Sequence, residues 1–226
     1  MRAIYTCDIG GIRSGNFGWA RCVPEEKANP IGSTDISRLI DCLQKDMANL
    51  MSIALGFECP LFIPVPISEN DLCRGRQGEG SRSLFAQAGA TVTTIGVHQA
   101  AWILRKIHPY ATNHFEFTTD LSKWPPSDDH QVLFCWEAFV SGIAHSRDHT
   151  RDAATATMFF LHNEMHLGVV NAVTTELPFS LIQAVALWAG WSTNMAELHG
   201  STLVIKPDKP YEGKIQEYLT AAPDLR

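Results

Sequence analysis

The chain has 226 residues, 45% of them hydrophobic and 19% charged, with a net charge of −6 at pH 7. These are the proportions of an ordinary globular protein long enough to bury a real core. The negative charge argues against a protein that coats nucleic acid nonspecifically through a basic face, although carboxylates committed to metal ions are neutralised when the ions bind.

No apolar run approaches the ~20 residues of a membrane helix. The longest, Leu181 to Trp191, reads as a core helix that could also serve as a homodimer surface. The N-terminus runs straight into Asp8 with no long hydrophobic region, so no signal peptide and a cytoplasmic location are expected. The six cysteines, at 7, 22, 42, 59, 73 and 135, include no C-x-x-C pair. Several lie in apolar runs, which fits free thiols better than a disulfide framework or a zinc cluster.

Residues 3–8 read as a strand that breaks at Gly10-Gly11. Residues 17–23 form a second strand after a turn at Gly15-Asn16, and 28–32 a short third one, closing a meander. Ser33 or Thr34 can cap a helix with Asp35 in its first turn. Ile36, Leu39, Ile40, Leu43, Met47 and Leu50 then recur at helical spacing. A fourth strand covers 51–57. Pro60, Pro64 and Pro66 exclude a continuing central strand. The segment 68–83 is polar and rich in glycine and arginine, and 97–107 has a helical apolar side. Residues 109–130 read mostly as loop and 131–137 as the fifth strand. Helices are expected at 151–162 and 178–191, with Pro178 tolerated in a first turn. An edge strand is expected at 202–205, followed by a polar tail.

Three strand-like runs end in an acid: Asp8, Glu58 and Glu137. A fourth carboxylate, Asp152, opens an apolar helical stretch. Acids at neighbouring strand ends would gather hard oxygen donors of the kind that hold Mg²⁺ or Mn²⁺. Each also has a plainer reading: Asp8 as a turn cap, Glu58 as a solvated strand end, Asp152 as a favourable charge in a first helical turn, Glu137 as an arginine's partner. The histidine pairs His145/His149 and His162/His166 each have helical i, i+4 spacing. In the string His162-Asn163-Glu164-Met165-His166, however, the glutamate falls one place late for H-E-x-x-H, and no third zinc ligand is evident. Neither phosphate-loop pattern nor a G-x-S-x-G elbow is present.

The element order resembles the ribonuclease-H-like superfamily, and within it a family of predicted prokaryotic nucleases. The motifs that carry the resemblance are Asp8-Ile9-Gly10, Gly18-Trp19-Ala20, Glu58-Cys59-Pro60, Arg74 to Arg82, Glu137-Ala138-Phe139 and Asp152-Ala153-Ala154. The resemblance covers residue 3 to about 162. It implies one α/β domain over 1–226: a five-stranded mixed sheet flanked by helices (core 3–58 and 131–165), a helical insertion at 59–130 and a helical C-terminal addition at 166–226. It further implies metal-dependent hydrolysis of nucleic acid. Asp8 would bridge two ions, Glu58 and Asp152 would complete their shells, and Glu137 would sit nearby as ligand or base. Arg74, Arg76 and Arg82 would contact substrate phosphates. Two features depart from the family pattern: Glu58 stands where Asp is commoner, and Asp148 and His149 compete with Asp152 as ligands. An actin- or sugar-kinase-like nucleotide-binding protein and a non-catalytic interaction domain on the same sheet are the alternatives.

Overall fold

The computed structural model describes residues 1–26, 28–111, 115–126 and 130–218. In chain order the elements are β1 (Arg2–Asp8), β2 (Gly18–Cys22), β3 (Ile31–Ser33), α1 (Ile36–Ala48), β4 (Ser52–Phe57), β5 (Phe62–Pro64), α2 (Gln87–Ile107), β6 (Phe115–Thr118) and β7 (Gln131–Ala138). They continue with α3 (His149–His162), β8 (Pro178–Ser180), α4 (Leu181–Ala189), β9 (Val204–Ile205) and β10 (Gln216–Glu217). The protein is α/β: a mixed sheet flanked by four α-helices among the described residues.

Among the described residues the main sheet has eight strands rather than five, in the order β10-β3-β2-β1-β4-β7-β6, with β9 also paired to β7. β1, β2 and β3 form the expected antiparallel meander. β4 runs parallel to β1, and β7 parallel to β4. β6, a parallel edge strand, lies in a stretch that reads as loop because it is only four residues long and stands between proline-bearing segments. Residues 112–114 and 127–129 of that stretch are outside the described ones. β5 and β8 form a separate two-stranded antiparallel sheet. Pro178 therefore opens a strand rather than a helix, and Ser180 caps α4 by accepting from Gln183 N. β10 lies parallel to β3, with Gln216 N donating to Pro30 O and Tyr218 N to Gly32 O.

Strand alternation sorts side chains to two faces. Ala3, Tyr5, Cys7, Ile53, Leu55, Phe57, Leu133 and Cys135 pack with α1, α2 and α4. Ile4, Ala54, Phe134 and Trp136 pack with Ala156 and Phe160 of α3. At the α3 face, Thr157 donates a buried hydrogen bond to Thr6 (2.9 Å). Gly56 leaves room for the Trp136 indole, which a Cβ there would strike. The N-cap of α1 is Asp35, accepting from Ser37 N, rather than the expected Ser33 or Thr34. α2 begins ten residues before the expected 97, because its first half is rich in small residues and threonine rather than patterned. The expected third strand starts late because Pro30 has no N–H to donate.

Candidate active site

Asp8 is the last residue of β1, on the α3 face with Ile4 and Thr6. The chain leaves through Gly10, where a Cβ would collide with the Asn16 carbonyl. Gln99 of α2 anchors that turn by donating to Gly10 O (2.5 Å). Glu58 follows β4 directly, and its N–H donates to Cys7 O (2.8 Å), which sets it beside the end of β1.

α3 supplies the third acid. Asp148 caps the helix by accepting from Arg151 N, so this exposed acid is committed to the helix end. Asp152, one turn inside, is fully buried. Its Oδ1 accepts from Ser146 N (2.7 Å). The helix N-terminus lies tight against β2 because Gly18 has no side chain: a Cβ there would strike the backbone of His149 and Thr150. Gly18→Ala is therefore expected to cost about 1–3 kcal/mol, the usual scale of overpacking. It should also displace His149 and Asp152 together. Urea unfolding measures the first effect and manganese affinity the second.

The three carboxylates are close enough to act on one another. Burial pushes Asp8 up to about 6; the His149 hydrogen bond and charge oppose this, Asp152 adds to it, and His145 opposes it. Burial, then the charges of Asp8 and Asp152, hold Glu58 well above the usual carboxylate range, against Arg82 and a backbone hydrogen bond from Val140. Two histidines that spacing alone could not place belong here. His149 Nδ1 and Asp8 Oδ2 share a 2.7 Å hydrogen bond. His145 Nδ1 comes within 2.7 Å of Asp152 Oδ2, off the alignment of a hydrogen bond. Buried Glu58 Oε2 and Asp152 Oδ2 have no hydrogen-bond partner.

Unpartnered buried oxygens on mutually repelling acids are what a hard cation would satisfy, so the donor chemistry fits Mg²⁺ or Mn²⁺. Among the described residues no group of three or more His, Cys, Asp or Glu side chains is placed so that it could hold a metal ion. Holding an ion would therefore require side-chain rotation. The raised Asp8 value sets a pH dependence. Its folded pKa, about 6, exceeds the ordinary 3.8, so the native state binds more protons than the unfolded chain between them. Stability of the metal-free protein is expected to fall as pH rises through that window, and manganese affinity to rise. Thermal melts and titrations at pH 5 and pH 7 check both signs.

The other predicted site residues lie elsewhere. Strand parity puts Glu137 on the opposite face from Asp8, with Leu133 and Cys135. It is 2% exposed and bound by both Arg76 Nη1 and Nη2 at 2.7 Å, with Leu61 N donating at 2.9 Å. Arg76 is buried too. Its Nε reaches Glu79 (2.8 Å), its Nη1 reaches Phe62 O (3.3 Å), and its guanidinium lies 4.5 Å from the Phe62 ring centre. Arg76 is thus buried and committed to Glu79, Phe62 and Glu137, and Glu137 already accepts from Arg76 and Leu61. Arg74 is exposed and pairs with Asp71. Arg82 is exposed and acts on Glu58.

No family model, curated protein or solved structure matches the chain. The functional reading therefore rests on geometry and chemistry.

Proposed function

We propose that this protein is a divalent-metal-dependent phosphodiesterase of ribonuclease-H-like architecture that acts on nucleic acid. The observation that carries the reading is the approach of Asp152 on α3 to Asp8 and Glu58 at the sheet rim, with Glu58 Oε2 unpartnered and Asp152 Oδ2 met only by the misaligned His145 ring. The antiparallel meander β3-β2-β1, continued by parallel β4 and β7 with acids closing β1 and following β4, supports it. So does the position of Arg82 near Glu58.

Asp8, Glu58 and Asp152 would hold Mg²⁺ or Mn²⁺. When bound, the ion would supply Lewis acidity and a water of lowered pKa. In the hydrolysis, a water oxygen bonds to phosphorus, the P–O ester bond breaks, and the departing oxygen takes a proton. Asp8 fixes the His149 ring through Nδ1. Among the described residues Nε2 has no protein partner, so the imidazole can accept or return a proton at that atom. Arg82 offers a guanidinium to a phosphate oxygen. Asp152 is fully buried, which keeps competing water from its carboxylate.

The direct test is hydrolysis of single-stranded DNA and RNA with Mn²⁺ or with a chelator. Chelator-sensitive cleavage supports the reading. Tight ATP binding without cleavage would replace it with the kinase-like alternative, and neither activity would leave an interaction domain.

A further inference from the structure

A cavity of about 430 Å³ opens beside the carboxylate cluster, between the 76–92 segment and the end of β7, and Glu58 forms part of its wall. Its size lies within the roughly 300–1,000 Å³ of small-molecule sites. Pro60, Leu84, Val92, Phe139 and Val140 make the wall largely apolar. At the floor, Arg76, Glu79 and Glu137 bond one another. At the rim stands Arg82, which makes no salt bridge or side-chain hydrogen bond among the described residues. Beside it, the 21-residue helix α2 begins at Ala86, whose side chain cannot cap it. Among the described residues no side chain caps the first amide groups of α2, a favourable setting for an anion.

An apolar slot with a cation and free amides at its mouth, continuous with an acid cluster, fits a flat heterocycle that carries a phosphate. We infer that this cavity takes one nucleotide unit of an unpaired strand, with the base against Phe139 and Val92 and its phosphate between Arg82 and the start of α2. This rests on the phosphodiesterase reading and names the form of substrate. A base still stacked in a duplex cannot enter without being flipped out.

The test uses the full chain with Mn²⁺ and three probes followed by calorimetry: adenosine 5′-monophosphate, deoxyadenosine 5′-monophosphate and ribose 5-phosphate. Both nucleotides are expected to bind at least tenfold more tightly than the sugar phosphate. Ala88→Trp, at an exposed position lining the cavity, should weaken nucleotide binding about tenfold or more without lowering the melting temperature or manganese affinity. Arg82→Ala should weaken all three probes. Equal binding of nucleotide and sugar phosphate, no binding of any probe, or full nucleotide affinity in Ala88→Trp would each overturn the inference. If the nucleotides bind as expected but no strand is cleaved, the slot stands and the hydrolytic reading falls. If a strand is cleaved with the same KM by wild type and Ala88→Trp, the reverse holds.

Discussion

Asp8→Asn should abolish manganese binding and reduce any metal-dependent cleavage by about a thousandfold, the scale of losing one pre-organised charged group at a reacting centre. The side chain keeps its size, so the fold should survive. Burial and the nearby Asp152 charge disfavour the Asp8 carboxylate. A neutral amide therefore removes a desolvated, repelled charge, and at pH 8 the metal-free variant should melt no lower than wild type. Calorimetric titration with Mn²⁺, paired with thermal unfolding, separates the two effects. Retained ion binding in a well-folded Asp8→Asn protein would remove Asp8 from the site. A large drop in melting temperature would instead make it a structural acid whose partner is His149.

Arg76→Ala should have the largest effect on stability, about 3–5 kcal/mol, because it leaves two buried carboxylates without their cation. That is a large share of the 5–15 kcal/mol that typically holds a domain together. Glu79 Oε2 also accepts from the Arg76 and Leu84 amides, so the loss would loosen the segment that carries Arg82. Glu137→Gln should cost less. One cation faces two acids in this cluster, and removing one negative charge leaves the Arg76–Glu79 pair intact. Denaturant unfolding of both variants gives the ranking. Manganese affinity of Glu137→Gln should equal that of wild type, since Glu137 lies on the other face of the sheet. A variant that is stable but cannot bind the ion would return Glu137 to the metal site.

Strong local patterns made much of the framework legible from sequence. The strands at Arg2–Asp8, Ser52–Phe57 and Gln131–Ala138 are dense apolar runs with clear ends, and α1 has a well-marked apolar stripe. Asp8 closes β1 and Glu58 follows β4 beside it, whereas Asp152 stands on α3 and not at a strand end. Glu137 needed one more step. A strand's side chains alternate faces, and Glu137 shares its parity with Cys135, which packs away from α3. That parity becomes informative only once the register Phe57↔Glu137 is fixed, and register is a tertiary property. Arg76 illustrates a different limit. A glycine- and arginine-rich segment looks solvated, and nothing local reveals that one arginine is drawn inward by an acid 61 positions later. His145 and His149 carried a helical spacing but no sign of their carboxylate partners. In fact His145 lies outside α3, and only His149 is on it.

The pairing of β10 with β3 bears on how the molecule stays out of trouble. β3 is three residues long, and without β10 its outer amides and carbonyls would be open to any passing strand. Its cover comes from chain synthesised far later and is held by Arg38, which donates to Tyr218 O (2.7 Å), while the Tyr218 ring meets Trp19 edge-on. Closing so long a loop carries an entropic cost that falls late in assembly. A growing or partly assembled chain thus passes through an interval with one adhesive border. The briefness of β3 limits how much of that border a neighbouring copy could grasp.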